Sequence, residues 1–161
     1  MDEKDLPKLE KKIGYKFKNK QLLKNALTHK TYAFEAKTPV EYNERLEFLG
    51  DSILGFVVAE ELYHTNKYFS EGELTRRRST LVNNTFLAKK AKELELGKYL
   101  FFGIGELKQK GFKNPTNLAN ALEALIGAVY LDSNLETAHT FIKKIIFDED
   151  FKPWVVINSI T

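Results

Sequence analysis

The sequence has no cysteine, one methionine, one tryptophan and four prolines among its 161 residues. The lack of cysteine excludes disulfides and thiolate metal ligands, and it fits a protein of a reducing compartment. Apolar runs such as 53–59 are far shorter than the roughly 20 residues that a membrane-spanning helix needs. The first residues lack the basic region and apolar stretch of a secretory signal. We therefore expect a cytoplasmic protein with no membrane partner.

The composition indicates one compact domain. Lysine and arginine number 25 against 22 acidic residues, which gives a formal net charge of +3, and 43% of the residues are hydrophobic. A chain of this length can bury one sizeable core. We predict a single domain over 1–147 and a C-terminal tail of unknown role over 148–161, which holds Trp154. No internal repeat or low-complexity segment interrupts the sequence.

Three carboxylates share one face of a predicted helix. Glu44, Glu47 and Asp51 are spaced i, i+3 and i+7, among apolar residues that would face a core. Like charges one turn apart repel, at a cost of about a few tenths of a kcal/mol per pair, so the face favours a compensating cation. A solvated surface face is the alternative interpretation.

A second segment, 114–129, is largely apolar and carries a single charge, Glu123. It predicts a buried helix, in which a lone carboxylate is costly unless it is paired, protonated or bound to a metal. Asn120 lies one turn before Glu123. If this helix meets the acidic one, the two form an oxygen-only site, which suits Mg²⁺ or Mn²⁺ better than zinc.

The remaining patterns predict an all-α protein. Helices are expected over 6–13, 20–28, 43–63, from Ser70 onward, over 85–96, over 114–129 and over 135–146. Ser70 begins a capping box, Gly97 is the predicted end of one helix, and Asp132 or Ser133 the predicted cap of the last. Segments 32–40 and 101–116 are predicted loops.

Basic residues cluster in two places. Lysines concentrate between 8 and 24, and arginines occupy 76–78. Such patches provide phosphate affinity that is independent of sequence and sensitive to salt, as binding to nucleic acid requires. Ordinary solvated lysines are the alternative for the first cluster.

The run ERLEFLGDSIL over 44–54 resembles the signature of the ribonuclease III family, endonucleases that cut double-stranded RNA. Further matches lie at 15–17, 22–30, 71–74 and 122–132, so the resemblance extends over roughly 9–146. It implies a ribonuclease III endonuclease-domain-like helical bundle over 1–147.

The resemblance also implies roles for individual residues. The family's metal ligands fall on Glu47 and Glu123, its catalytic aspartate on Asp51, and a supporting or RNA-contacting acid on Glu44. Glu123 thus serves both as a ligand and as a catalytic residue. Where the family has Asp-x-x-Glu, this chain has Asn120, whose amide oxygen can ligate a metal but carries no charge. Reduced or lost activity is therefore expected.

The family's cofactor and partners follow from the same resemblance. It implies Mg²⁺, with Mn²⁺ as a substitute, and no small-molecule cofactor. Double-stranded RNA would be cut to 5′-phosphate and 3′-hydroxyl ends with short 3′ overhangs, in RNA processing that includes ribosomal RNA. It further implies a homodimer in which Phe48 of each subunit enters a cavity of its partner.

Two alternative functions also fit parts of the sequence. The first is a catalytically inactive protein of the same fold that binds double-stranded RNA or the ribosome, which Asn120 favours. The second is a four-helix di-iron protein, suggested by Glu61-x-x-His64 and Glu136-x-x-His139. In that protein Glu47 and Glu61 would have to meet at one metal, yet they share a helix, roughly 21 Å apart. His29 is expected to form structural hydrogen bonds.

Overall fold

The computed structural model describes residues 4–147, and within that range the protein is all-α, which confirms the predicted fold class. The tail over 148–161, including Trp154, lies outside the described residues. Along the described chain the helices are α1 (Leu6–Ile13), α2 (Lys20–Leu27), α3 (Lys30–Glu35), α4 (Glu44–Thr65), α5 (Glu71–Val82), α6 (Asn84–Glu93), α7 (Ile104–Lys108), α8 (Pro115–Asp132) and α9 (Leu135–Ile146). Two 3₁₀ turns, Leu96–Tyr99 and Gly111–Lys113, flank α7.

The two longest helices, α4 and α8, pack directly against each other at the centre of the fold. A Cβ atom on Gly50 would lie 1.7 Å from the carbonyl oxygen of Glu123, and one on Gly127 would lie 2.4 Å from that of Leu46. Neither position has room for a side chain, so the two backbones touch where the helices cross. This contact sets the acidic face of α4 against α8.

The other helices cover this pair with apolar side chains. The first helix buries Leu9 and Ile13, and α9 buries Ala138, Phe141 and Ile142, in the pattern of amphipathic helices. The apolar helix α8 is buried on nearly every side, as the sequence predicted. The core therefore surrounds the one charged residue in the middle of α8.

Two carboxylates fasten the connection between α1 and α2. Glu10 accepts hydrogen bonds from the backbone N–H of Phe17 (2.6 Å) and from Lys20 Nζ (2.8 Å). Asp132, at the end of α8, accepts from the Tyr15 hydroxyl (2.6 Å) and from the N–H groups of Lys18 and Asn19. Because Asp132 serves this purpose, it does not cap the next helix.

The predicted cap of α9 was therefore wrong. The N-cap is Asn134, whose side-chain oxygen accepts from the N–H of Thr137 at 2.8 Å. Ser133 instead donates its hydroxyl to the carbonyl oxygen of Val129. A polar residue one or two positions from the true cap carries the same sequence signal, and only the backbone conformation distinguishes them.

Both predicted loops contain helices. Segment 32–40 overlaps α3, which starts at Lys30, and segment 101–116 contains α7 and the turn Gly111–Lys113. These helices are too short to show an apolar period, and contacts distant in sequence hold them in place. The helix predicted to reach 96 ends at Glu93, and Gly97 lies within a 3₁₀ turn. There a Cβ atom would meet the carbonyl oxygen of Phe112 at 2.3 Å.

Part of each basic cluster is neutralised by acids. Lys12 pairs with Glu95 at 2.7 Å, and Lys20 pairs with Glu10. The capping box at Ser70 is half formed, since its hydroxyl accepts from the N–H of Glu73 at 3.2 Å. The Glu73 carboxylate binds Arg76 and Arg77 instead of returning to the cap.

Candidate active site

Residues from α4 and α8 line an open hollow of about 380 Å³. All six residues to which the sequence assigned a role surround it, namely Glu44, Glu47, Phe48, Asp51, Asn120 and Glu123. The helical spacing explains the α4 set, because i, i+3 and i+7 share a face. The crossing at Gly50 and Gly127 explains why Asn120 and Glu123 face that set.

Glu123 is the most buried acid of the site, with 5% of its surface exposed. Burial, a hydrogen bond with Asp51 and the charges of Asp51 and Glu47 together raise the pKa of Glu123 to about 9. Without a cation, Glu123 therefore keeps its proton at neutral pH. Binding of a divalent metal here must displace that proton.

Glu47 experiences the same crowding of negative charge. Burial raises its pKa, and the nearby carboxylates of Glu44 and Asp51 raise it further. Glu44 lies at the exposed edge of the hollow, where its carboxylate is 3.7 Å from Lys30 Nζ. Within residues 4–147, no basic side chain forms an ion pair with the deeper acids Glu47, Asp51 and Glu123.

Asn120 meets Glu47 through its amide. With its nitrogen turned toward α4, it donates to Glu47 Oε1 at 3.2 Å and to the carbonyl oxygen of Thr116 at 3.3 Å. This orientation satisfies both polar atoms of the amide, whereas the reverse orientation does not. To ligate a metal, the amide would have to rotate and present its oxygen.

The donor chemistry fits a hard divalent cation, since carboxylate and amide oxygens are the ligands that Mg²⁺ and Mn²⁺ take. In residues 4–147, no three His, Cys, Asp or Glu side chains are positioned so that together they could already hold a metal ion. The hydrogen bond from Asn120 and the proton on Glu123 satisfy these acids without a metal. The side chains must therefore turn inward to hold one.

Phe48 stands beside the acids but points away from the core, with 79% of its surface exposed. Next to it lies a second hollow of about 860 Å³. It is lined by apolar and polar residues of α2, α4 and the segment between α3 and α4, with Leu131. An exposed aromatic side chain beside an unfilled hollow is the arrangement that a two-fold contact would use.

The histidines do not join the site. His29 caps α3, accepting at Nδ1 from the N–H of Thr31, which confirms its structural role. His139 Nε2 lies 3.0 Å from Glu61 Oε1, so the two Glu-x-x-His motifs touch each other and not the hollow. A di-iron centre that includes Glu47 and Glu123 is therefore excluded.

Sequence reasoning missed the two glycines that bring the helices together. Gly50 and Gly127 each interrupt a helical pattern, where glycine costs about 1 kcal/mol relative to alanine. This cost is the signal by which the sequence could have revealed the close crossing, because a glycine in the middle of a helix usually has a packing reason. It also missed Glu106 and Asn117, whose hydrogen bond joins α7 to α8.

Within the described residues, no helix is long and apolar enough to cross a membrane. The fold and the site define a class of protein, an all-α domain with an acidic hollow where two helices cross. A model of the Ribonuclease-III-like family matches residues 19–150. The chain belongs to the ribonuclease III family.

Among curated relatives, ribonuclease 3 of Aliivibrio fischeri is 52% identical over 137 residues, covering 85% of this chain and 59% of the relative. Ribonuclease 3 of Shewanella baltica is 50% identical over 141 residues, covering 88% of this chain and 60% of the relative. The chain therefore spans about three fifths of the length of the curated relatives that it matches.

The fold is also similar to the folds of solved structures. A nuclease domain of ribonuclease III from Campylobacter jejuni, studied for flexibility in a region involved in dimer formation, is 40% identical with a TM-score of 0.85. The match covers 91% of this chain and 100% of that one. Dicer from Pichia stipitis is 30% identical with a TM-score of 0.59, over 81% of this chain and 54% of its own.

Proposed function

We propose that this chain is a metal-dependent endoribonuclease domain, over 1–147, that cuts double-stranded RNA. The observation that carries the proposal is the convergence of Glu47, Asp51 and Glu123 on one hollow in a member of this family. We infer 5′-phosphate and 3′-hydroxyl products with short 3′ overhangs, in RNA processing that includes ribosomal RNA. No small-molecule cofactor is needed, and the cytoplasm is the proposed location.

In this proposal Glu47 and Glu123 hold Mg²⁺, or Mn²⁺ in its place, and Asn120 contributes its amide oxygen. When bound there, the cation would supply a water of lowered pKa and would neutralise charge on the phosphate. Asp51 orients the attacking water, and Glu123 releases its proton when the ligand set forms. Glu44, at the exposed edge and paired with Lys30, supports the site or contacts RNA.

Asn120 is expected to weaken the site. An amide brings no negative charge to the metal, and its hydrogen bond to Glu47 must break before either group can ligate. We therefore propose that the chain cuts slowly, or only at raised metal concentration. A catalytically inactive protein of the same fold that binds duplex RNA or the ribosome is the second candidate, and Asn120 is the observation that favours it.

We propose a homodimer as the working form. Phe48 is exposed, the hollow beside it is open, and Phe56 and Tyr63 extend an exposed aromatic stripe along α4. A two-fold axis would place each Phe48 in the partner's hollow. The two strands of a duplex run in opposite directions, so two sites related by such an axis can each cut one strand.

The proposal is tested by incubating the purified protein with an end-labelled plain RNA duplex over a titration of Mg²⁺ and of Mn²⁺. We expect metal-dependent cuts on both strands, offset to leave 3′ overhangs. A DNA duplex of the same sequence is the matched substrate control and should stay intact. Tight RNA binding with no cleavage at any metal concentration would favour the inactive alternative.

A further inference from the structure

Side chains of α3 hold the beginning of α7. Thr31 Oγ1 accepts a hydrogen bond from the N–H of Gly103 at 3.0 Å. The Glu35 carboxylate accepts from the N–H of Ile104 at 3.0 and 3.1 Å. These two N–H groups start α7 and have no partner within that helix, so α3 fixes where α7 begins.

The α7 helix in turn holds the first turn of α8 through Glu106. Its Oε1 accepts from Asn117 Nδ2 at 3.0 Å, and the same amide donates to the carbonyl oxygen of Gly111 at 3.1 Å. A Cβ atom on Gly111 would lie 2.5 Å from Cγ of Glu106. The glycine therefore leaves the space that this carboxylate occupies.

His29 completes the cluster. Its Nδ1 is 2.8 Å from Thr31 Oγ1, the same hydroxyl that receives Gly103. Burial lowers the pKa of His29, while Glu106 and Asn117 act in the opposite direction. Hydrogen bonds therefore link His29 and α3 to the start of α7, and α7 to the first turn of α8.

The start of α8 does not depend on Glu106 for its caps. Asn114 accepts from the N–H of Asn117 at 3.1 Å, and Pro115 occupies the first helical position. These two features are sufficient signals for a helix start. The Glu106 contact acts on a side chain instead, and it ties the outer face of the first turn to α7.

Asn117 lies one turn before Asn120. The Asn120 amide donates to the carbonyl oxygen of Thr116, the residue next to Asn117, at 3.3 Å. A side chain that fixes this turn also fixes the direction from which residue 120 enters the hollow. We propose that Glu106 is a positioning residue that, through Asn117, sets the placement of Asn120 in the active site. The inference rests on the proposed function, and Glu106 itself contacts no substrate.

The test is a double-mutant cycle between Glu106→Ala and Asn120→Asp, followed by RNA cleavage and by Mn²⁺ binding in calorimetry. We expect Asn120→Asp to raise the cleavage rate and the Mn²⁺ affinity in the parent chain. In the Glu106→Ala background both gains should shrink about tenfold, the lower end of the loss that changes around the ligands of a metal site commonly cause. Loss of stability alone would leave the gains unchanged.

Two variants serve as controls. Glu106→Gln keeps an oxygen that can accept from Asn117, so the full gain from Asn120→Asp should return. Glu136→Ala removes an exposed carboxylate from the first turn of α9 and should not alter the gain. A gain of equal size in the Glu106→Ala and parent backgrounds overturns the positioning role.

Failure of the proposed function is distinguishable from failure of this inference. If Asn120→Asp cuts no RNA in any background, the proposed function is wrong, and Mn²⁺ affinity alone decides the role of Glu106. A gain in Mn²⁺ affinity that disappears with Glu106→Ala and returns with Glu106→Gln supports it. A gain that is absent, or equal in all backgrounds, rejects it.

Discussion

At the scale of single residues, the site contains an amide among acids. Asn120 donates to Glu47, a contact that two ionised carboxylates could not make. The amide therefore stabilises the metal-free arrangement and at the same time lowers the negative charge available to a cation. Both effects oppose metal binding, which makes residue 120 the most informative position to change.

We expect Asn120→Asp to increase duplex RNA cleavage and to lower the metal concentration required. The restored charge lies in a poorly screened environment, and we expect at least about a 10-fold gain at limiting Mg²⁺. Adding Glu123→Gln should abolish cleavage again. Initial rates over a metal titration measure both. A folded, dimeric Asn120→Asp variant with no gain at any metal concentration would refute the assignment of the site.

Glu123 makes stability depend on pH in the metal-free protein. Its pKa is about 9, against an ordinary value of 4.5, so between these values the native state holds a proton that the unfolded chain has released. The unfolding free energy therefore falls as pH rises through this window. We expect Glu123→Gln to remove this slope and to stabilise the fold near neutral pH by at least about 1 kcal/mol.

Urea unfolding in the presence of a chelator, at about pH 5 and about pH 8, measures this difference. Glu136→Ala, at an exposed position, is the control and should keep the slope of the parent chain. Equal slopes for the parent chain and Glu123→Gln would show that the proton on Glu123 does not limit stability.

At the scale of helices, the crossing of α4 and α8 builds the site. We expect Gly127→Ala to force the backbones apart, because its methyl group would approach the Leu46 carbonyl at 2.4 Å. The cost should be about 1–3 kcal/mol, as for other overpacked interiors, and cleavage should be lost as the ligands separate. Thermal unfolding followed by circular dichroism measures the stability change.

The matched control for that change is Gly72→Ala in α5. The nearest atom to a Cβ at Gly72 is Ser70 Oγ at 4.0 Å, so the methyl group meets open space. We expect stabilisation of about 0.5–1 kcal/mol, the gain in helix propensity from glycine to alanine. Equal effects at Gly127 and Gly72 would mean that the crossing is not as close as described.

The sequence predicted the long helices better than the short ones. Helix α4 and the buried α8 were evident from periodicity and from the lone charge of Glu123. The two 3₁₀ turns and the short helices α3 and α7 were not evident. They depend on partners that are distant in sequence, as Thr31 is from Gly103 and Glu35 is from Ile104. Local patterns carry no record of such partners.

The site, too, was predictable where local spacing determines it and not where packing between helices does. Helical spacing placed Glu44, Glu47 and Asp51 together, and the resemblance to a family linked them to Asn120 and Glu123. The distance between the helices, which depends on Gly50, was not predictable without the packing of both backbones. The Asn120 amide orientation likewise depends on Glu47 across the crossing.

At the scale of the whole molecule, we expect Phe48→Asp to split the proposed homodimer. Burying a phenylalanine contributes about 1.5–3 kcal/mol, and a two-fold contact counts it twice, so the Kd should rise by at least about 100-fold. Light scattering over a concentration series measures the mass. Tyr68→Asp changes a side chain that is 82% exposed and should leave the mass unchanged. A monomeric parent chain at micromolar concentration would refute the dimer.

We also expect the domain to prefer duplex RNA to duplex DNA, with weak binding at physiological salt. Basic side chains can follow the phosphates of an A-form helix, while its 2′-hydroxyls distinguish RNA in the wide minor groove. Titrations of both duplexes over a range of salt concentrations measure this preference. Equal affinity for the two duplexes at every salt concentration would count against the proposed substrate.

The Asp132 carboxylate ties the last turn of α8 to Tyr15, Lys18 and Asn19, which precede it by 113 to 117 residues. A contact of such long sequence separation closes a long loop, and the entropic cost of that closure must be met before the contact can form. During synthesis, the segment between α1 and α2 leaves the ribosome early, and of its two carboxylate anchors only Glu10 is present until residue 132 follows. The start of the domain therefore completes its folding after almost all of the domain has been made.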